Sequence, residues 1–227
     1  MKTKKTIDSA VKKIGAYWDE RSSTFDAEHD TEDRNAWESA LEKLLGKDRS
    51  KTVLDLGTGT GFLANMTARM GYPSIGIDVS QKMMRLAIVH AAECGSNAVF
   101  MRGNVLELPF MDETVDFIVN SRLLWTMLTP DSCVKEWLRA VKPGGSIYCF
   151  NRMKEGVGIV SNNSDPVYRD EEVRDLLAIQ NARMDELIIL FERNGLDQVR
   201  LEKLPGLTRP EFDYDPWFVL AGSKPAA

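Results

Sequence analysis

Short apolar runs alternate with helical stretches along residues 51–150, and that alternation predicts an α/β fold with a mostly parallel sheet. Five runs have strand character: Lys51–Leu56, Ser74–Ile77, Ala98–Arg102, Val115–Val119 and Ser146–Phe150. The helical stretches between them end on glycine, at Gly71 and Gly95. Lys51–Leu56 alternates polar and apolar residues poorly, as strands buried on both faces do.

Taken in order, residues 1–15 are Lys-rich and weakly helical, and residues 16–33 carry aromatics and charges without clean periodicity. Asn35–Leu45 reads as a helix, with Trp37, Leu41, Leu44 and Leu45 on one stripe and Gly46 as its stop. Residues 1–48 therefore read as a helical addition ahead of a core domain at 49–227. Phe62–Met70 is helical. Ser80 is the N-cap expected for a helix over Gln81–Cys94. Pro130–Val141 is a helix with proline in its first turn, and Pro143-Gly-Gly145 turns sharply into the fifth strand. Asn151–Val167 has few apolar anchors and reads as a loop or lid. Asp170–Asn194 predicts one long helix with Val173, Leu176, Leu177, Met184, Leu187, Ile188 and Phe191 on its apolar face. Gln198–Leu201 and Trp217–Ser223 are two further strands, joined by Leu204–Pro216.

The 227 residues are 43% apolar and 28% charged, which suits one domain with additions and excludes a disordered chain. No apolar run approaches the ~20 residues of a membrane span, and the basic N-terminus lacks the apolar stretch of a secretory signal. The net charge of -5 argues against broad binding to a nucleic-acid backbone. Cys94, Cys133 and Cys149 form no CxxC pair; an odd, scattered set is a poor disulfide framework and points to buried thiols in a reducing, cytoplasmic setting.

The most informative segment is Val53-Leu-Asp-Leu-Gly-Thr-Gly-Thr-Gly61, a strand, a glycine turn and then a helix. Missing side chains let a ligand approach the backbone, and the helix start supplies unpaired N–H groups. A dinucleotide fingerprint fails, because Phe62 stands where GxGxxG needs its last glycine, and no Gly-Lys-Ser/Thr follows for a P-loop. Asp55, two residues before Gly57, discourages a pyrophosphate and suits a cationic centre. Asp78 ends the second strand, where a carboxylate accepts from ribose hydroxyls. The two acids ask for a ribose and a positive charge without a phosphate; the competing reading is a tight structural turn with two capping acids.

These residues resemble the class I S-adenosylmethionine-dependent methyltransferases, of the small-molecule type related to the ubiquinone and menaquinone enzymes. Leu54-Asp-Leu-Gly-Thr-Gly-Thr-Gly61 looks like that family's first motif, Asp78 like its ribose-binding acid, Gly103-Asn-Val-Leu-Glu-Leu-Pro-Phe110 like its third-strand segment, and Val141-Lys-Pro-Gly-Gly145 like the turn before its fifth strand. The resemblance covers about residues 50–151. It implies a Rossmann-like three-layer sandwich whose mostly parallel, seven-stranded sheet ends in an antiparallel hairpin, under an N-terminal helical lid. It implies S-adenosylmethionine, with S-adenosylhomocysteine as product, held by Asp55, Gly57, Thr58, Gly59, Gly61, Asp78, Val79 and Met83. Asn104 then meets adenine N6 and the Val105 amide a ring nitrogen. The family often has Asp at position 104, but an asparagine oxygen still accepts from an exocyclic amine. Asn120 touches the methionine part. In the segment Tyr17–Arg21, Tyr17 covers the methionine end and Arg21 pairs with its carboxylate; helix packing for Tyr17 and a solvated salt bridge for Arg21 are the plain alternatives.

The acceptor side carries less. Arg122 and Trp125 follow the fourth strand and face the pocket entrance, with Arg122 as a candidate catalytic residue, or else they serve as a surface arginine and a packing tryptophan. Trp37, Trp125, Met127, Tyr168 and Trp217 fit an aromatic-lined cavity or a core equally. His29, in Asp26-Ala-Glu-His-Asp30, is the candidate general base, against an exposed loop histidine; His90 reads as structural and far from the mouth. No metal-ligating pattern is present. The function expected is methyl transfer to a small molecule, by a monomer or homodimer. An RNA- or protein-directed methyltransferase is the alternative, disfavoured because Asn120-Ser-Arg-Leu123 replaces the Asn/Asp-Pro-Pro-Tyr/Phe tetrapeptide that holds a planar nitrogen in such enzymes. A non-catalytic module that binds the cofactor or its product is the other.

Overall fold

The computed structural model describes residues 3–29, 33–154, 157–159, 165–207 and 215–226; of residues 28 and 29 it describes the backbone alone. The element order is α1 (Lys4–His29), α2 (Arg34–Leu45), β1 (Val53–Leu56), α3 (Phe62–Arg69), β2 (Ser74–Asp78), α4 (Gln81–Cys94), β3 (Val99–Arg102), β4 (Val115–Ser121), α5 (Pro130–Ala140), β5 (Val141–Lys154), β6 (Gly158–Ile159), α6 (Pro166–Arg169), α7 (Glu171–Arg174), α8 (Met184–Arg193), β7 (Asp197–Lys203) and β8 (Trp217–Ser223). Strands lie in the order β3-β2-β1-β4-β5-β8-β7, with the two-residue β6 paired to the end of β5. β3, β2, β1, β4 and β5 are parallel, and β8 runs antiparallel to both β5 and β7. The result is a Rossmann-like sandwich whose sheet closes on an antiparallel hairpin, with the N-terminal helices as a lid. The strand order reverses between β1 and β4, so the crevice at their carboxyl ends is where a ligand is expected.

The sheet separates two cores, and β5 shows the period of two directly. Ile147 and Cys149 face the cluster containing Val134, Trp137, Leu187 and Phe191. Tyr148 and Phe150 face the cluster containing Trp37, Leu41, Leu63 and Trp217. There Trp37 meets Phe150 and Trp217 edge-on, at 5.1 Å between ring centroids in each case. All four residues of β1 are buried, in keeping with its poor alternation.

The N-terminal region is more regular than its sequence pattern: residues 4–29 form one helix. Ala10 and Ile14 supply its buried stripe, and Gly15 lets it cross the backbone after β2, where an added Cβ would stand 3.4 Å from the Val79 carbonyl oxygen. α2 starts on Asp33, whose carboxylate accepts from the Asn35 and Ala36 amides, and ends at Gly46, as expected.

Two expectations in the tail are corrected. Asn151–Lys154 is strand rather than loop, because β8 pairs with β5 as far as Arg152↔Trp217. The single helix over residues 170–194 is broken into α7, a run of turns and α8. Asp170 ends α6 and caps α7 by accepting from Glu172 and Val173, and Glu186 accepts from the Arg183 amide to open α8. The intervening turns satisfy their carbonyls elsewhere: Leu176 accepts from Thr129, and Ala182 from Ile159. Leu176, Leu177, Ile179 and Ala182 still join the same core as α8. Helical spacing of apolar residues therefore served a turn that folds onto that core.

Among the described residues no helix is long and apolar enough to cross a membrane, and no group of three His, Cys, Asp or Glu is placed to hold a metal.

Candidate active site

The turn after β1 runs through Gly57, Gly59 and Gly61, at φ of +62°, +55° and +89°, where side chains are strained. At Gly57 an added Cβ would also lie 2.8 Å from Leu123 Cδ1, so the Leu123 side chain would have to shift to admit it.

Both acids are buried beneath it. Asp55 accepts from Thr58 Oγ1 at 2.5 Å and from the Ala64 amide at 3.1 Å. Its carboxylate thus takes an N–H of the first turn of α3, which elsewhere is a phosphate's place. Burial pushes the Asp55 carboxyl up to about 7, against the hydrogen bonds that hold it down. Asp78 accepts from the Gly59 amide at 3.0 Å and the Ser80 amide at 2.8 Å; burial raises it too, partly offset by these amides. Among the described residues neither carboxylate has a cationic partner within salt-bridge distance. A positively charged, ribose-bearing ligand without phosphate matches that donor set.

α1 lies over this turn. Phe25 places its ring 3.7 Å from where a Cβ of Gly59 would stand, and Trp18 meets Phe25 edge-on at 5.9 Å. Asp26 accepts from Thr60 Oγ1 at 2.6 Å. The cavity beneath α1 is a cleft of about 850 Å³, within the size range of small-molecule sites.

Of the residues the sequence nominated, Asp55, Gly57, Thr58, Gly59, Gly61, Asp78, Val79, Met83, Asn104, Val105, Arg21 and Arg122 all line this one cavity. Asn104 spends one lone pair on the Leu106 amide, at 3.1 Å, which leaves its oxygen a second. Arg122 sits at φ +59°, with its guanidinium 4.5 Å from the centre of the Trp217 ring. Two nominees do not reach the wall. Tyr17 packs edge-on against Trp18 and Tyr168, because the helix turns it toward the α6 side. Asn120 is fully buried and donates to Cys149 Sγ at 3.0 Å, because the alternation of β4 points it into the core. His29 closes α1, but its side chain lies outside the described residues.

The five ambiguous side chains divide. Trp125 and Met127 line the cavity and also belong to the buried core behind it. Trp37 and Trp217 are core. Tyr168 is buried behind the wall, accepting from Trp18 Nε1 at 2.8 Å and touching Trp125. His90, read as remote, also lines the cavity: its Nδ1 is 3.1 Å from the Thr60 carbonyl oxygen and its Nε2 is 3.4 Å from Asp26. The signal was its spacing of seven from Met83, which puts both on one face of α4. Trp18 falls within the Tyr17–Arg21 segment that the resemblance marks as a cover, whereas Asp26 had no local signal.

The family model described as a methyltransferase domain matches residues 54–149. Demethylmenaquinone methyltransferase of Roseiflexus castenholzii is 33% identical over 116 residues, covering 50% of this chain and 48% of the relative. The chain thus spans about half the length of the curated relatives it matches first. Among solved structures, the putative methyltransferase in complex with the Trm112 methyltransferase activator of Haloferax volcanii superposes with a TM-score of 0.65 at 22% identity, over 92% of this chain and 97% of that one. The [4+2]-cyclase SpnF superposes with a TM-score of 0.64 at 21% identity, over 84% and 81%. The fold is that of these solved structures, and residues 54–149 carry the match to a methyltransferase domain.

Proposed function

We propose that the protein transfers a methyl group from S-adenosylmethionine to a small-molecule acceptor. One observation carries this: a glycine turn and two buried carboxylates, neither matched by a cation among the described residues, open into the same cavity as Asn104 and Val105, the two residues that the resemblance assigns to adenine. Bound S-adenosylmethionine supplies a methyl group already activated by the positive charge on its sulfur.

The chain's own contribution is placement and exclusion of water. Asp78 takes the ribose hydroxyls with the lone pairs left after Gly59 and Ser80. Asp55 puts negative charge behind the turn, toward a cationic centre. Asn104 and Val105 hold the adenine between them and Met83. Arg21 offers a guanidinium to the methionine carboxylate, and α1 covers the whole through Trp18 and Phe25. The acceptor lies toward Trp125 and Met127, where the wall is apolar, with Arg122 beside it. His29, on the last turn of the lid, is the general base for an acceptor that holds its proton at neutral pH. Residues 1–48 act as the cover and 49–227 as the catalytic domain, and the three free thiols suit a reducing cytoplasm.

The test has two arms. Calorimetry with S-adenosylhomocysteine is expected to show saturable binding, and methyl-labelled cofactor with a panel of quinols, phenols, thiols and amines is expected to show label in one class. Binding of dinucleotides with S-adenosylhomocysteine ignored overturns the reading. The likeness to a cyclase favours a second reading, in which the cofactor or its product is held while another reaction occurs; binding without label transfer across the panel selects it.

A further inference from the structure

Asp19 and Asp26 are seven residues apart on α1, so both face the same way. Each carboxylate reaches a different loop of the site. Asp26 takes the Thr60 hydroxyl on the turn after β1. Asp19 takes the turn after β2: its Oδ1 accepts from Ser80 Oγ at 2.6 Å and from the Lys82 amide at 2.9 Å. Burial by itself would raise the Asp19 carboxyl, but these two donors, with the charges of Lys82 and Arg102, hold it below the usual carboxylate range.

Ser80 connects this contact to the ribose acid. Its hydroxyl has one proton, which goes to Asp19, so the oxygen is free to accept from the Met83 amide at 3.1 Å and cap α4. Its own amide donates to Asp78 Oδ1 at 2.8 Å, while the other Asp78 oxygen accepts from Gly59 at 3.0 Å. The lid is therefore joined to Asp78 through one residue.

We infer that Asp19 is a positioning residue: through Ser80 it sets the aim of Asp78, so that the lid and the ribose-binding acid act as one unit. This rests on the reading that Asp78 holds a ribose. The competing role is purely structural, a charge at the start of α4 that would stabilise the helix and nothing more.

The two roles separate by calorimetry with S-adenosylhomocysteine and its 2′,3′-dideoxy analogue. Asp19→Ala is expected to weaken the natural product about tenfold and leave the dideoxy analogue unchanged, because only the former uses Asp78. Asp19→Asn, which keeps an oxygen acceptor, recovers most of the loss, and Ser80→Ala reproduces it. In an Asp78→Ala background Asp19→Ala causes no further loss. Equal weakening of both ligands, or additive losses in the double variant, overturns the inference.

Amide exchange in the ligand-free protein decides independently. The Gly59 and Ser80 amides, which donate to Asp78, should exchange faster in Asp19→Ala while the β4 and β5 amides keep their protection. A variant that had unfolded would lose protection everywhere, and unchanged Gly59 and Ser80 rates overturn the relay. A wild-type chain that ignores S-adenosylhomocysteine refutes the methyltransferase reading, whereas the exchange rates still decide whether Asp19 positions Asp78.

Discussion

The two sides of the cavity are built from different materials. On the β1–β2 side, Asp55 within β1 and Asp78 at the end of β2 are held by hydrogen bonds of 2.5–3.1 Å from the turns and helix that follow β1 and β2. On the β4–β5 side, the large apolar side chains of Leu123, Trp125 and Met127 alternate with Ser121, Arg122, Thr126, Asn151 and Arg152. The first side leaves little room to change a ligand, because altering one member of a satisfied buried network strands the others. The second leaves the shape of the wall to a few large side chains, and under the proposed function that is where the acceptor is selected.

The sharpest break in this contrast is Gly59→Val. A β-branched residue at φ +55° is strained, and its side chain would project between the turn and Phe25. S-Adenosylhomocysteine affinity should fall by ~100-fold or more, with a stability loss of about 2 kcal/mol in a denaturant titration. Affinity like that of wild type would show that the turn does not carry the ligand.

Next comes Asp78→Ala, expected to weaken the same ligand roughly 30-fold by removing a charged acceptor and freeing the Gly59 and Ser80 amides. Calorimetry measures it, and an unchanged Kd would move the ribose elsewhere. Trp125→Ala tests the other side. It should raise KM for the acceptor about tenfold and leave the Kd of S-adenosylhomocysteine as it was. Equal effects on both would erase the division between the two sides.

The smallest effect is a pH dependence. Burial holds Asp55 at about 7 against an ordinary 3.8. Its folded pKa is raised, so its contribution to stability is complete below about pH 4 and is lost as pH rises through about 7. A cationic ligand prefers the ionised form. The preference for S-adenosylmethionine over its uncharged-sulfur product should therefore grow several-fold between pH 6 and 8. The ribose hydrogen bonds of Asp78 cancel in the ratio, since both ligands carry the same ribose. Paired calorimetric titrations at the two pH values check this, and Asp55→Asn should flatten the trend.

Much of the β1–β2 side was legible because its signals are local. A glycine turn, an acid two residues ahead of it and an acid closing the next strand lie within 25 residues and are set by backbone demands at each position. Strand β8 and helices α2 and α4 were legible for the same reason: their periodicity and stops lie inside the element. The tail helix was misjudged because apolar residues spaced three or four apart are also satisfied by turns that fold onto a core, as Leu176, Ile179 and Ala182 do.

By itself, then, the sequence determined the alternation of strands and helices and the glycine turn between the two acids, since both follow from conformational preference and burial within a few residues. Tertiary structure alone decided which aromatics are wall and which are core, how far β5 extends, and that Asp19 reaches Ser80 across 61 positions of chain. Those outcomes depend on which distant surfaces meet. No short window contains that information, because the energy of a buried contact belongs to both partners at once.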